Sequence, residues 1–433
     1  MFYMKILFSI LLCLILLLPV IAGCSESTVG ETTAPVVAHT LRVGFGRADF
    51  TPTESMPIGS AYFGAPQMST EVINPLLATC IAFTDETDNT VLLFHMDLGG
   101  IRDPQVYARG TIGKKLGIPA SQIMVTATHT HATPRVIESN KAVMDWVASI
   151  QDKMLEAAQA AMADLKPAQM YTTSIQCENL NFIRHYVMSD GSYAGDNFGS
   201  TAGKTYVGHT EDADNTLQLL KFTREGGKDV ILANWQGHPH RLHGGSGTTI
   251  GSDIVGAMRD KMEAELDCQF AYFSGASGNI NNSSRIKEEQ ITKNYLEHGN
   301  ALADYAIQAA ANFKQQEIGK VQLISNIYKA MNKEETATTE LPLYAFSLGD
   351  VAFVTAPYEM FNSQGMKIKA DSPFNCTFVC TYANGHLGYV PDQKTLDTYQ
   401  CYEETQSKVA HGSAELLTAE HLAMLNKLFE TRK

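Results

Sequence analysis

Positive charge is scarce in this chain. Lys and Arg number 33 among 433 residues against 46 Asp and Glu, a formal net charge of −13. That deficit excludes a binder of nucleic-acid backbones, whose affinity rests on clustered basic charge. None of the eight cysteines forms a C-x-x-C pair, which argues against a zinc knuckle or a thioredoxin-like motif. A true phosphate loop is missing too. Gly244-Gly245-Ser246-Gly247-Thr248-Thr249 lacks the Lys-Ser/Thr ending and reads as a flexible loop, taking His240 and His243 with it. A mean hydropathy of −0.11 rules out a polytopic membrane protein. No internal repeat or second linker is evident. With 44% apolar and 18% charged residues, collagen-like and disordered chains are excluded as well. The length allows a large core without disulfide or metal staples.

What is present begins with a targeting segment. Met1 to Lys5 carries one basic residue, and Ile6 to Val20 is almost wholly apolar. The run is too short for a comfortable transmembrane span and ends in small residues, as a secretory signal does. Val20-Ile21-Ala22-Gly23-Cys24 resembles a bacterial lipobox, implying cleavage before Cys24 and its lipidation. An ordinary signal peptide or an uncleaved anchor is the alternative. Residues 1–23 are thus expected to be a lipoprotein signal peptide and 24–39, rich in Ser, Thr and Glu, a flexible tether. The expected location is the cell envelope, lipid-anchored to the outer membrane or the outer face of the plasma membrane. Ser25 after Cys24 suits outer-membrane sorting. Cys80, Cys177, Cys268, Cys376, Cys380 and Cys401 remain, as disulfides of open pairing or as buried thiols.

From Leu41 onward strand-like and helix-like segments alternate. Strands are expected at Leu41–Phe45, Ala78–Phe83, Thr90–Met96, Gln122–Thr128, Leu217–Phe222, Val230–Trp235, Gln269–Phe273, Gln322–Ile327, Val351–Ala356 and Thr377–Tyr382. Ala142–Leu165 places Val143, Trp146, Val147, Ile150, Met154, Ala157 and Ala161 at helical steps, and Gly251–Glu265 and Glu288–Phe313 read the same way. The fold class expected is α/β: a single large domain over 40–433, with mixed β-sheets flanked by helices.

Chemistry concentrates in two histidine pairs. Random placement of the histidines gives about 0.4 His-x-His pairs; this chain has two, His129-Thr130-His131 and His238-Pro239-His240. In an extended segment residues i and i+2 share a face. Both pairs follow a strand, where α/β proteins place their sites, and imidazole is a common zinc ligand. Surface or satisfied core histidines are the bland alternative. Pro357-Tyr358-Glu359 adds a carboxylate at a strand end. Asn384-Gly385-His386-Leu387-Gly388-Tyr389-Val390 adds a tyrosine-bearing loop, followed by Tyr402-Glu403. Such a carboxylate and phenolate could complete a zinc shell that leaves room for water. Asp97 and Asp253 are candidates to orient ligand histidines, with capping or turn duty equally open for Asp253.

These residues, in this order, resemble the neutral/alkaline (non-lysosomal) ceramidase family. The likeness runs from Gly44-Phe45-Gly46-Arg47-Ala48-Asp49-Phe50-Thr51-Pro52 through His95-Met96-Asp97-Leu98-Gly99 to Thr128-His129-Thr130-His131. It continues through Asn181-Phe182-Ile183-Arg184-His185-Tyr186, Asn234-Trp235, His238-Pro239, Ser252-Asp253 and Gly275-Ala276-Ser277-Gly278-Asn279-Ile280-Asn281. Pro357-Tyr358-Glu359 and Gly388-Tyr389-Val390 with Tyr402-Glu403 close the series, which spans about residues 41–412.

The resemblance implies a zinc-dependent amidohydrolase, cleaving the N-acyl bond of a ceramide-like lipid with metal-activated water. One Zn2+ per chain would be held by His129, His238, Glu359 and Tyr389. His131 would touch the reacting amide, while Arg184 and Tyr402 would line the site and polarise the carbonyl or its oxyanion. The implied partners are an N-acylated, lipid-like small substrate and a membrane reached through Cys24, with no nucleic acid. Departures from the family pattern are Ala132-Thr133-Pro134 after His131, Asn279 in place of an acidic residue, and an end at Lys433 that leaves no room for a C-terminal β-sandwich. The alternatives are a hydrolase of this fold acting on an ester, lactone or non-lipid amide, and a non-catalytic binding lipoprotein.

Overall fold

The apolar runs become strands of two packed sheets. A computed structural model of the chain describes residues 39–58, 66–136, 139–242 and 247–432. The expected signal peptide, Cys24 and all of the tether but His39 lie outside the described residues, as do His243 and Gly244 to Ser246. No described helix is long and apolar enough to cross a membrane.

Eight long strands build the larger sheet: β1 (Leu41–Asp49), β2 (Leu77–Asp85), β3 (Thr90–Met96), β4 (Ile123–Ala127), β5 (Lys166–Gln176), β6 (Thr216–Arg224), β7 (Val230–Trp235) and β8 (Gln269–Ser274). Their order is β8-β7-β6-β5-β1-β2-β3-β4, with short Lys314–Gln315 added beside β5 as a ninth strand. The smaller sheet runs β9 (Val321–Met331), β10 (Thr338–Leu348), β11 (Val351–Thr355), β12 (Cys376–Cys380). Neighbours are antiparallel except at three places. The pairs β3/β4, β7/β8 and β11/β12 are parallel, and all three matter for the site.

Side chains alternate faces along each strand, which explains the layers. Ile81, Phe83, Val91, Leu93, Leu232 and Phe273 of the larger sheet meet Phe346, Leu348, Phe353 and Phe378 of the smaller one. Ala78, Cys80, Leu92 and Phe94, pointing the other way, receive Val147, Ile150 and Met154 of the helix Lys141–Ala163. At the far half of the same face, Ile231, Ala233 and Phe270 pack on the helices Asp253–Leu266 and Tyr295–Ala310. Leu341, Leu343 and Val354 on the outer face of the smaller sheet are covered by Leu417, Leu425 and Leu428 of the helix Ser413–Thr431. Helix, sheet, sheet, helix is therefore the layering, and it realises the α/β class read from the sequence. Each fully buried Phe or Leu contributes about 1.5–3 kcal/mol, so this core needs no staple. The six cysteines are in fact buried free thiols.

Gly44 and Gly46 explain part of one sequence motif. A Cβ at Gly44 would lie 1.9 Å from the Ala161 carbonyl oxygen, and one at Gly46 would lie 2.0 Å from that of Ala157. The glycines let the helix Lys141–Ala163 rest directly on β1.

Some elements differ from expectation. Strand β5 has no clear sequence signal, because most of its residues are polar and only partly covered. In β10, Pro342 argues against a strand, yet it pairs only with Ile327 of β9, outside the stretch Tyr344–Leu348 that pairs with β11. The helices Asp103–Leu116 and Ser413–Thr431 are further additions. The expected helix from Glu288 begins later, at Tyr295, where the Asn294 side chain caps the Glu297 amide.

Candidate metal centre

Each parallel strand pair ends at the same place. β4 runs into Thr128 and His129, and β7 runs into Gln236, Gly237 and His238. From the smaller sheet, β11 leads to Glu359, and β12 leads to Tyr382 and the loop carrying His386. The carboxyl ends of parallel strands thus deliver the polar groups, as in other α/β sheets.

Backbone bonds fix the approach of both histidine segments. The Thr128 amide donates to Met96 O (2.9 Å) and the His129 amide to Leu98 O (2.9 Å). The His131 amide donates to Pro239 O at 3.0 Å, joining one His-x-His segment to the other. His129 takes a left-handed backbone conformation, φ +64°. That conformation costs a non-glycine residue energy and survives where the surroundings impose it.

The ring tautomers are set by the neighbours. Nδ1 of His129 lies 2.6 Å from Gly99 O, and Nδ1 of His238 lies 2.9 Å from Ile280 O. A carbonyl only accepts, so both Nδ1 atoms carry the proton and both Nε2 atoms present a lone pair. His131 Nε2 is 3.2 Å from His129 Nε2. Glu359 Oε2 is 3.1 Å from His238 Nε2 and 3.8 Å from His129 Nε2. Two ligands about 2.1 Å from one zinc, at a tetrahedral angle, stand about 3.4 Å apart. The observed separations bracket that figure. His129, His131 and His238 offer ligand atoms that all lie within 4.8 Å of one another, and could hold a metal ion.

Charge supports the same conclusion. Burial lowers the basicity of His129 and His131, so both imidazoles are neutral near pH 7. Burial alone would raise the Glu359 carboxyl, but the electrostatics of His129 and the other histidines around it outweigh burial, and the group stays well below the usual carboxylate range. Neutral imidazoles beside an ionised carboxylate are the protonation states that bind a divalent cation.

The later motifs hold this set in place. Glu359 and Tyr389 face each other across a short parallel ladder, Glu359–Met360 against Tyr389–Val390. Gly278 lies so close to this ladder that a Cβ would sit 2.7 Å from Glu359 O. Two residues on, Ile280 supplies the carbonyl that orients His238. Asn279, standing where the resemblance expects an acid, accepts from the Asn362 amide (2.8 Å) and donates to Glu211 (2.9 Å).

Arg184 approaches from the side. Its Nε donates to Glu403 Oε1 at 2.8 Å, and Glu403 Oε2 lies 3.0 Å from His185 Nε2. The guanidinium sits 5.4 Å from the centre of the Tyr389 ring, and Tyr389 meets Tyr402 edge-on at 5.9 Å. All seven residues singled out from sequence line one cavity of about 580 Å³: His129, His131, Arg184, His238, Glu359, Tyr389 and Tyr402. Trp146, Val147 and Ile150 give it an apolar wall.

One expectation fails, and one left open is decided. Asp97 does not orient a ligand histidine: it pairs with Arg259 (2.9 Å) and accepts the Leu77 amide. Asp253 accepts the amides of Arg241 and Leu242, which is turn duty. Backbone carbonyls do the orienting instead. Sequence reasoning also gave no role to Tyr382 and His386. Tyr382 stacks on His129, with centroids 3.8 Å and planes 6° apart, and its hydroxyl donates to Glu359 Oε2 at 3.4 Å. His386 Nε2 is 3.7 Å from Glu359 Oε1. Both lie just past the end of an apolar strand, the same sequence signal that marks the two histidine pairs. His240 also lines the cavity, its Nδ1 buried without a hydrogen-bond partner among the described residues.

No protein-family model matches the sequence, and no curated protein matches it. Solved structures do. The chain is similar to the neutral ceramidase from Pseudomonas aeruginosa, with a TM-score of 0.71 and 16% identity, over 91% of this chain and 75% of that one. It is similar also to a ceramidase complexed with C2, with a TM-score of 0.70 and 15% identity, over 91% and 76%. The fold is therefore ceramidase-like.

Proposed function

We propose that the protein is a zinc-dependent amidohydrolase that cleaves the N-acyl bond of a ceramide-like lipid. One observation carries the reading: Nε2 atoms freed by backbone-bonded Nδ1 atoms converge with Glu359 in a cavity that has an apolar wall. The ceramidase-like fold supports it. His129, His238 and Glu359 would hold the ion together with Tyr389, their neighbour across the short ladder. Bound zinc lowers the pKa of a coordinated water to about 7 and polarises an amide carbonyl.

The remaining groups supply what that chemistry needs from the protein. Of the three clustered histidines, His131 alone is half-buried. That exposure suits it to face the substrate, accept a proton and pass it to the leaving amine. Arg184, held by Glu403, is a fixed donor for an oxygen that gains charge. Such a donor contributes about 2.7–4 kcal/mol to the barrier in known cases. Tyr402 stands beside it as a second hydroxyl. Burial and the Glu359 charge keep the Tyr389 phenol protonated, so ligation by Tyr389 entails proton release. Trp146, Val147 and Ile150 suit an acyl chain.

The test joins metal analysis to paired substrates. The purified protein is expected to hold close to one zinc per chain and to release fatty acid from an N-acyl sphingoid probe. Release from the matched O-acyl probe alone would replace the amide by an ester, and no metal after zinc reconstitution would overturn the reading. We also propose that residues 1–23 are cleaved and that Cys24 anchors the enzyme to the cell envelope. Labelled palmitate that enters the parent but not Cys24→Ser is the expected result.

A further inference from the structure

A second cavity, of about 440 Å³, shares Asn197 and Tyr402 with the reaction cavity. Nothing in the proposed chemistry uses it. Among the described residues, its lining contains no Asp, Glu, Lys, Arg or His. The reaction cavity, in contrast, carries Arg102 and Lys408.

The groove is built of held parts. Tyr193 stacks on Tyr399, with centroids 4.5 Å and planes 22° apart, and Phe198 lies parallel to Tyr399 within 5° at 5.9 Å. The Tyr399 hydroxyl is tied to Thr210 (3.3 Å) and lies 3.0 Å from His185 Nδ1. Across the turn opposite, the Gly195 amide donates to Phe198 O at 3.1 Å. Gly199 adopts φ +71°, and a Cβ there would lie 2.4 Å from Tyr193 O. Around the aromatic rings stand neutral amides and hydroxyls, including Asn197 and Gln400.

Aromatic faces with neutral hydrogen-bonding groups and no charge match one ligand chemistry well. A sugar ring offers C–H faces to stack on aromatics and hydroxyls to satisfy amides. An anionic headgroup would lose its water here, and the cation beside the lining, Lys204 on the Ser192 hydroxyl, is already paired with Asp190. We propose that this groove is a subsite for a neutral sugar ring on the amine side of the substrate, so that the preferred substrates are glycosylated N-acyl lipids. The inference rests on the amide-hydrolase reading for its substrate, but not for the binding itself.

The experiment has two independent readouts. Saturation-transfer NMR with methyl β-glucoside is recorded on the parent, on Tyr193→Ala and on Gln400→Ala, whose parent residue is exposed and cheap to truncate. Transfer to the sugar ring is expected in the parent and is expected to fall at least fivefold in either variant. In parallel, kcat/KM is compared for glucosylated and unglycosylated N-octanoyl sphingosine. The glycosylated substrate is expected to be favoured tenfold or more in the parent, and the variants to bring the ratio near one without changing turnover of the bare lipid. No saturation transfer in the parent, or equal transfer in both variants, overturns the subsite. Binding without hydrolysis of either lipid keeps the subsite and removes the amidase reading instead.

Discussion

The two sheets contribute to the candidate metal centre in different ways. The larger sheet supplies His129 and His238, after β4 at one edge and after β7 beside the other edge, each with its own carbonyl to set the tautomer. The smaller sheet supplies the charge, Glu359, together with the aromatic ring that stacks on His129. Neither sheet has a complete donor set. The neutral histidines alone bring no negative charge for a cation, and the carboxylate alone is a single donor. The centre is a seam, complete only when the sheets are packed.

That division can be broken from either side. The largest effect is expected from the larger sheet. His238→Ala removes one ligand and should take bound zinc from about one per chain toward zero, read by elemental analysis. Turnover should fall at least about a thousandfold, because metal polarisation is worth several kcal/mol and each 1.4 kcal/mol is tenfold. Near-parental activity with metal retained would show that the histidines are not the anchor.

Glu403→Gln tests the support behind Arg184. It leaves a buried guanidinium without its carboxylate, a change expected to cost about 3–5 kcal/mol in urea denaturation. Acid sensitivity should change with it. Burial would raise the Glu403 carboxyl, but His185 and Arg184 outweigh burial and hold it at about 2, against 4.5 unperturbed. The folded state therefore binds fewer protons than the unfolded chain between these values. The stabilisation is complete above pH 4.5 and is lost as pH falls toward 2. The variant should lack this component of the acid slope; an unchanged slope would assign the acid response to other groups.

If an ion holds this seam, as proposed, removing it should loosen the fold. At free metal a hundredfold above its dissociation constant, binding stabilises the fold by about 2.7 kcal/mol. Chelation should therefore lower the Tm of the parent and leave that of His129→Ala unmoved. Equal shifts in both proteins would mean that the ion sits elsewhere. The smallest effect is expected from Tyr382→Phe, which keeps the ring on His129 and removes only the hydroxyl near Glu359. A loss of about tenfold in zinc affinity is expected, at the low end for groups that support a metal ligand. Titration against a competing chelator would measure it.

Legibility divides along the same line. Both His-x-His pairs announce themselves through spacing at strand ends, and the strands that deliver them are legible almost to their limits. The smaller sheet gives weaker signs. Glu359 and Tyr389 come into view through their place in a series of resembling segments, because one Glu after one strand is unremarkable by itself. Tyr382 and His386 carry no spacing pattern of their own, and their contacts depend on β12 lying beside β11. Pro342 hides β10, and a polar face hides β5. Whether the cysteines pair is decided only by packing, since thiol burial depends on which strand face each residue occupies. Asp97 illustrates the opposite error: a carboxylate in a suggestive segment serves Arg259.

His238 and Glu359 are 121 residues apart in the chain, yet Nε2 of one lies 3.1 Å from Oε2 of the other. Contacts between such distant segments form late, because a long loop must close before they return any energy. While the chain is still assembling, its two His-x-His pairs lie far apart and compete for metal only as separate, weak sites. On the proposed function, metal loading follows folding, and the compartment in which folding finishes decides which ion is at hand.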